Sequence, residues 1–161
     1  MKAPVSQAVQ LVVRIAATVL VIWLLLAFVS GIYVCHSDAC SPAVQDGDLC
    51  VTWQLSELSA GDLIVYDLNG EAKFGRVIAA AGDRVEIKDS YVWVNGYIAL
   101  QEPLPAFSSE KASVRFPYVV PEKSVFVICP NAFEEDSRAN GAFPIGDCRG
   151  KVVFLMRRRG I

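Results

Sequence analysis

The chain has 161 residues, 53% of them hydrophobic and 20% charged, with a formal net charge of −2. That length suits a single domain, and the apolar fraction excludes a disordered chain. The near-balance of charge excludes a nucleic-acid binder that works through a basic field.

The average hides an uneven distribution. Residues 1–35 hold Lys2, Arg14 and no acid, which leaves 36–161 with a net charge of −4. From Ile15 to Cys35 no charged residue occurs. As a helix rising about 1.5 Å per residue, this run reaches roughly 30 Å, the thickness of a bilayer's hydrocarbon core. A buried helix of a soluble domain normally shows a polar stripe and is shorter. A cleaved signal peptide has an apolar core of about 7–15 residues with small residues before the cut, and Cys35-His36-Ser37 is a poor site of that kind. Residues 15–35 therefore read as a retained single-pass anchor, with Tyr33 as an interfacial aromatic, after a short cytoplasmic N-terminus, residues 1–14. Lys2 and Arg14 favour a cytoplasmic N-terminus, which puts residues 36–161 outside the cell membrane. Arg157, Arg158 and Arg159 lie too far from the anchor to weigh against this.

After residue 40 the pattern is strand-like and punctuated by Gly-Asp. Gly47-Asp48 precedes Leu-Cys-Val-Thr-Trp, Gly61-Asp62 precedes Leu-Ile-Val-Tyr, and Gly82-Asp83 precedes Arg-Val-Glu-Ile. Glycine supplies a positive φ in a turn, and aspartate hydrogen-bonds the local backbone. Tyr91–Val94 reads as a strand entering an Asn95-Gly96 turn, a strong hairpin signal. Further strands are expected at Lys73–Ala79, Ser124–Ile128 and Val152–Met156. Residues 101–117, with Pro103, Pro105 and Pro117, read as a loop. The fold class is mostly β, an antiparallel domain on one N-terminal transmembrane helix.

Five cysteines stand at 35, 40, 50, 129 and 148, with no C-x-x-C pair, and the one histidine is His36. A zinc site is not expected, nor any other metal or cofactor. A Ser-His-Asp triad is hard to build from a histidine at the membrane exit, so His36 reads as a solvated interfacial residue. Outside the cytoplasm an odd count allows at most two disulfides, with Cys129–Cys148 one plausible pair.

Ser37-Asp-Ala-Cys-Ser-Pro42 with Gly47-Asp48, Gly75-Arg76-Val77-Ile78 with Gly82-Asp83, Val94-Asn95-Gly96, Asp136-Ser137-Arg138 and Gly150-Lys151 follow one another in an order and spacing that resembles bacterial signal peptidase I (the S26 family). Ser37-Asp-Ala-Cys-Ser-Pro42, followed by Gly47-Asp48, is similar to that family's Ser-x-Ser-Met-x-Pro-Thr and Gly-Asp. Gly75-Arg76-Val77-Ile78 with Gly82-Asp83 is similar to its Lys-Arg-Val-x-Gly-x-x-Gly-Asp, and Val94-Asn95-Gly96 to its Val-Asn-Gly. Asp136-Ser137-Arg138-x-x-Gly141, then Gly150-Lys151, is similar to its closing Asp-Ser-Arg-x-x-Gly and Gly-Lys. The family cuts signal peptides with a serine nucleophile and a lysine general base. The resemblance puts the nucleophile position on Ala39 and the base position on Gly75, neither of which can do that chemistry. It puts an oxyanion-holding role on Ser37, aided by the Ala39 N–H, and a structural pairing near the site on Asp136 and Arg138. Cys40, Pro42, Arg76 and Ser137 flank these positions. Cys40 stands where the family has methionine, and the family's Gly-Asp-Asn is replaced around Cys129-Pro130-Asn131.

Lys73, two residues before Gly75 on the same strand face, is the possible substitute base, with Ser37, Cys40 or Ser41 as nearby nucleophiles. The bland alternatives are a solvated strand charge for Lys73, a small core residue for Cys40, and a solvated acidic loop for Glu134-Glu135-Asp136. Three functions remain open. One is a catalytically silent relative that binds exported precursors or pilus subunits by strand addition, as non-cleaving relatives in Gram-positive bacteria are associated with pilus assembly. The second is an active signal peptidase with a dyad of Ser37 or Ser41 with Lys73. The third is a structural or interaction module.

Overall fold

The computed structural model describes residues 4–100, 102–104, 114–131 and 135–157. Lys2, Glu134, Arg158, Arg159 and residues 105–113 of the proline-bearing loop lie outside them. Helix α1 runs Pro4–Val29, and its stretch Gln7–Leu24 is long and apolar enough to cross a membrane, none of it buried against the protein. The apolar run predicts one span as far as Cys35, but the chain leaves the helix at Val29. Ser30–Val34 form strand β1, paired antiparallel with β2 (Leu49–Trp53). A Cβ on Gly31 would lie 2.5 Å from Cε2 of Tyr33 and 2.9 Å from Oγ1 of Thr52, so this paired strand needs glycine there. The β-branched Ile32 and Val34 suit the pleat that follows.

The other strands are β3 (Leu63–Leu68), β4 (Glu71–Ala80), β5 (Arg84–Lys88), β6 (Tyr91–Val94), β7 (Tyr97–Ile98), β8 (Tyr118–Val119), β9 (Ser124–Ile128), β10 (Phe143–Pro144) and β11 (Cys148–Met156). A seven-stranded sheet has the order β1-β2-β11-β3-β4-β9-β10, and a four-stranded sheet the order β7-β6-β5-β8. Strands expected at 73–79 and 152–156 extend to 71–80 and 148–156, while 49–53 and 124–128 keep their bounds.

The three Gly-Asp turns share one construction. Asp48, Asp62 and Asp83 each accept, through Oδ2, the backbone N–H three residues earlier, from Gln45, Ser59 and Ala80, at 3.0, 3.0 and 2.8 Å. Gly47, Gly61 and Gly82 supply the positive φ, of 83°, 95° and 88°, that the turn requires. Such turns fix where β2, β3 and β5 begin, and so fix register.

One core joins Cys35, Cys40, Val44, Tyr66, Val127 and Cys129; a second joins Ile78, Val85, Val92 and Phe126 between the sheets. The first backs the groove described below. On the outer face of β1, β2 and β11, Ile32, Val51 and Phe154 lie in register, with Ile32 71% and Phe154 54% exposed. This apolar face directly continues the chain leaving α1.

All five cysteines are free thiols. The plausible Cys129–Cys148 pairing is not formed. Cys148 starts β11 with its Sγ 3.5 Å from the Pro144 carbonyl, whereas Cys129 Sγ turns inward to the Phe74 carbonyl at 2.9 Å.

Candidate functional site

A groove of about 560 Å³ runs between β1 and the first half of β4. Ile32 and His36 line one wall, Lys73 and Phe74 the other, and Ser37 and Ala39 its end. Both walls are strand edges. β1 ends the seven-stranded sheet, and β9 begins to pair with β4 only at Arg76. Edge backbone of this kind is a template for an added extended strand.

The segment carrying Ser37, Ala39 and Cys40 is pinned at both ends. The Cys35 N–H donates to the Asp48 carbonyl and the Gly47 N–H to the Cys35 carbonyl, each at 2.8 Å. Downstream the Asn131 N–H donates to the Ala39 carbonyl at 3.0 Å, and its side-chain amide reaches the carbonyls of Asp38 and Ser41. Within the segment the Ala39 N–H donates to Ser37 Oγ at 3.0 Å. The two groups expected to grip a carbonyl oxygen thus hold each other. Ala39 itself is 9% exposed at the groove end and presents a methyl group.

Gly75 is buried on β4 and does not line the groove. A Cβ built on it would stand 2.2 Å from Cγ1 of Val127, 2.9 Å from Cε1 of Tyr66 and 3.4 Å from Sγ of Cys129. The space a side chain would need at the expected base position is filled by three neighbours. Tyr66 is fully buried, donates its hydroxyl to the Glu135 carbonyl at 2.6 Å and touches Cys129 Sγ at 3.4 Å. Burial, then the neighbouring Cys129, push the Tyr66 phenol well above its usual range, so it stays a neutral donor.

Lys73 shares the groove with Ser37 and Ala39, although Gly75, two residues further along β4, does not line it. Its ammonium is held by Glu135 Oε1 and Glu71 Oε2, each at 3.0 Å. Glu135 first and Glu71 second raise its pKa above the ordinary lysine value. A general base working near neutral pH needs the opposite shift. Cys40 is 3% exposed, with its thiol on the Phe74 carbonyl at 3.1 Å. The adjacent Cys129, and then burial, push the Cys40 thiol upward, away from thiolate character.

Asp136, Ser137 and Arg138 open the short helix α2 (Ser137–Asn140) beneath the groove. Asp136 caps it by accepting the Arg138 N–H at 2.9 Å, and Arg138 Nη2 and Nε approach Asp136 Oδ2 at 2.7 and 2.8 Å. Both side chains are sealed from solvent, at 0% and 1% exposure. Burial pushes the Asp136 carboxyl upward, against the pull of Arg138 and two backbone N–H groups. The cluster also satisfies the outer edge of β9. Asp136 Oδ2 accepts the Cys129 N–H at 3.0 Å, Ser137 Oγ accepts the Val127 N–H at 2.8 Å, and Arg138 Nη2 donates to the Cys129 carbonyl at 2.8 Å. Arg76 instead spans to the Gly61 carbonyl at 2.8 Å and fixes the second Gly-Asp turn. Pro42 lines a second depression with Ser41, Leu63, Arg76 and Leu100. His36 is exposed on the groove wall.

The family model described as signal peptidase, peptidase S26, matches residues 8–157. The chain belongs to the signal peptidase S26 family. A solved signal peptidase I from Enterococcus faecalis V583 is 23% identical, with a TM-score of 0.50 over 61% of this chain and 98% of that one. This likeness shows the fold: antiparallel β sheets behind one N-terminal apolar helix. No curated protein matches the chain.

Within this signal peptidase fold, sequence reasoning found the groove segment, β4 and the α2 cluster. Tyr66 was not singled out, and Glu135 was read only as part of a solvated acidic loop, whereas it pairs with Lys73. Tyr66 had one available signal, a tyrosine inside a continuous apolar strand, whose buried hydroxyl must find a partner. Glu135 had none, because it meets Lys73 only through the fold.

Proposed function

We propose that this signal peptidase family member is anchored by α1 with its N-terminus cytoplasmic, and that it holds peptides without cutting them. Its groove takes extended segments of exported precursors or pilus subunits, as an assembly factor on the outer side of the cell membrane. The observation that carries the reading is the methyl group of Ala39 at the groove end, where the family's nucleophile is expected. Loss of a serine protease's nucleophile typically lowers turnover by about 10⁶-fold. The packing of Tyr66, Val127 and Cys129 over Gly75 supports the same reading at the base position. The two open strand edges support binding of main chain by strand addition.

The competing reading is cleavage by Ser37 or Ser41 with Lys73, and it has in its favour that Lys73 and Ser37 share the groove. The double ion pair on Lys73 stands against it. The test is incubation of the full chain in detergent with a signal-peptide substrate, read for both cleavage and binding. Binding without turnover from pH about 7 to 10, spanning most of a lysine's approach to neutrality, is expected, with binding weakened by Ala39→Phe. Turnover that disappears in Lys73→Ala would replace this reading with the relocated dyad. No binding of any exported precursor would leave the interaction module.

A further inference from the structure

Two buried nucleophilic side chains remain unused by that reading, and they stand together. Cys40 Sγ and Cys129 Sγ donate to one acceptor, the Phe74 carbonyl, at 3.1 and 2.9 Å, and they face each other across it. Cys40 belongs to the groove segment, whereas Cys129 directly follows β9, so the two come from distant parts of the chain. The surrounding backbone already joins these parts, through the Asn131 N–H to the Ala39 carbonyl and the Asn131 amide to Asp38 and Ser41. Cys129 is the foremost neighbour acting on the Cys40 thiol, and Cys35 a lesser one. Cys35 Sγ donates to the Ser37 carbonyl at 3.0 Å, and Cys148 Sγ points to the Pro144 carbonyl. Cys40 lines the groove and the adjoining depression, which gives a reagent a way in, while Cys129 is fully buried behind it.

We propose that Cys40 and Cys129 are an oxidisable pair that closes to a disulfide and rivets the groove segment to the end of β9. The present structure is the dithiol form. Oxidation needs a disulfide-bearing oxidant, a thiol–disulfide oxidoreductase or oxidised glutathione. Cys40 gives up its proton as its sulfur attacks one sulfur of that disulfide, forming a mixed disulfide and releasing one thiol that carries the proton away. The Cys129 thiolate then attacks Cys40 sulfur, forming the Cys40–Cys129 bond and expelling the second thiol. Two electrons pass to the oxidant, and the two protons leave the protein's thiols for the released ones. The Phe74 carbonyl loses two donors, but S–H groups are weak ones. In exchange the segment bearing Ser37 and Ala39 gains a covalent tie beside the groove, at the place where Cys129 also stands over Gly75. The outward placement of the domain, where disulfides persist, supplies the oxidising setting and is the only part of the function proposal on which this depends.

The test uses the full chain in detergent, treated with oxidised glutathione and then unfolded under non-reducing conditions for thiol titration and mass mapping. The chain has five cysteines. The expected result is a loss of two titratable thiols and a link between the peptide that ends at Lys73 and the one that carries Cys129, with fragment ions placing it at Cys40. Cys40→Ala should leave every remaining thiol titratable, whereas Cys35→Ala should still lose two. Retention of all five thiols, or a link from Cys129 to Cys148, would overturn the proposal. The result is independent of the cleavage assay: a chain that cuts signal peptides and still forms this link would refute the function proposal alone.

Discussion

The ring of Tyr66 stands where a side chain on Gly75 would have to go, with its Cε1 only 2.9 Å from a Cβ built on that glycine. Val127 Cγ1 is closer still, at 2.2 Å, and both neighbours are fully buried, so neither moves without disturbing the core. Gly75→Ala is expected to destabilise the fold by about 1–3 kcal/mol, the usual cost of overpacking a filled core. Denaturant midpoints of the two proteins measure it. The same crowding governs restoration of the family's dyad. Ala39→Ser with Gly75→Lys alone should give no signal-peptide cleavage, because the lysine stem has no channel. Adding Tyr66→Ala and Val127→Ala opens one, and any turnover should appear only in that combination. Cleavage by the double variant alone would show that Tyr66 and Val127 yield readily.

Lys73 carries a prediction whose sign follows from its shift. Glu135 and Glu71 raise its folded pKa above the unfolded value, so its stabilising contribution is complete below about pH 10.4 and is lost as pH rises through the folded pKa. Unfolding midpoints of the wild type and Lys73→Met should therefore differ at pH 8 and converge only as the pH rises past the raised folded pKa. A wild-type advantage that persisted unchanged at high pH would mean that the stem's packing, not the charge, is what counts. The same shift predicts that Lys73-dependent proton abstraction is absent at neutral pH.

Asp136 and Arg138 form a buried pair that also caps α2 and holds the edge of β9, so removing one partner strands the other in a dry interior. Arg138→Met or Asp136→Asn alone should cost about 3–5 kcal/mol, the range for breaking a buried pair. The double replacement should cost less than the sum of the singles, although the N–H and carbonyl of Cys129 then lose their side-chain partners. A double-mutant cycle on urea unfolding reads the difference, and strict additivity would show that the two act independently.

These relationships explain which parts were legible in the sequence. β2 and β9 kept their bounds because Gly47-Asp48 starts the one, Pro121 and Pro130 flank the other, and their apolar residues match a pleat. β1 was hidden, since Ile32 and Val34 extend an apolar run that membrane-type composition makes featureless; only Ser30-Gly31 marks the break. The period of two placed Lys73 on the face of Gly75, yet nothing local announced Glu135, which reaches Lys73 from the segment just before α2. The filling over Gly75 is likewise tertiary. Tyr66 and Val127 sit on the strands either side of β4, and only their register brings them over a missing side chain. Cys129 was offered to Cys148 by spacing alone, and spacing does not say which way a thiol points.

The outer face of β1, β2 and β11 gives a last prediction. Ile32, Val51 and Phe154 lie in register on it, with Trp53 and Met156 exposed beside them, and α1 leads straight into β1. Exposed apolar side chains grouped in register mark a contact surface, and their position beside the apolar helix α1 makes a bilayer interface the natural cover. At about 25 cal/mol per Å² of apolar area, even a few of these side chains would hold the domain against the headgroups. In full-length protein reconstituted into vesicles with brominated lipids, Trp53 fluorescence should be quenched. Trp53→Phe should remove that component, and Ile32→Glu with Phe154→Glu should abolish it while leaving α1 inserted. Unquenched Trp53 in the wild type would place this face in water and turn the groove between β1 and β4 away from the membrane surface.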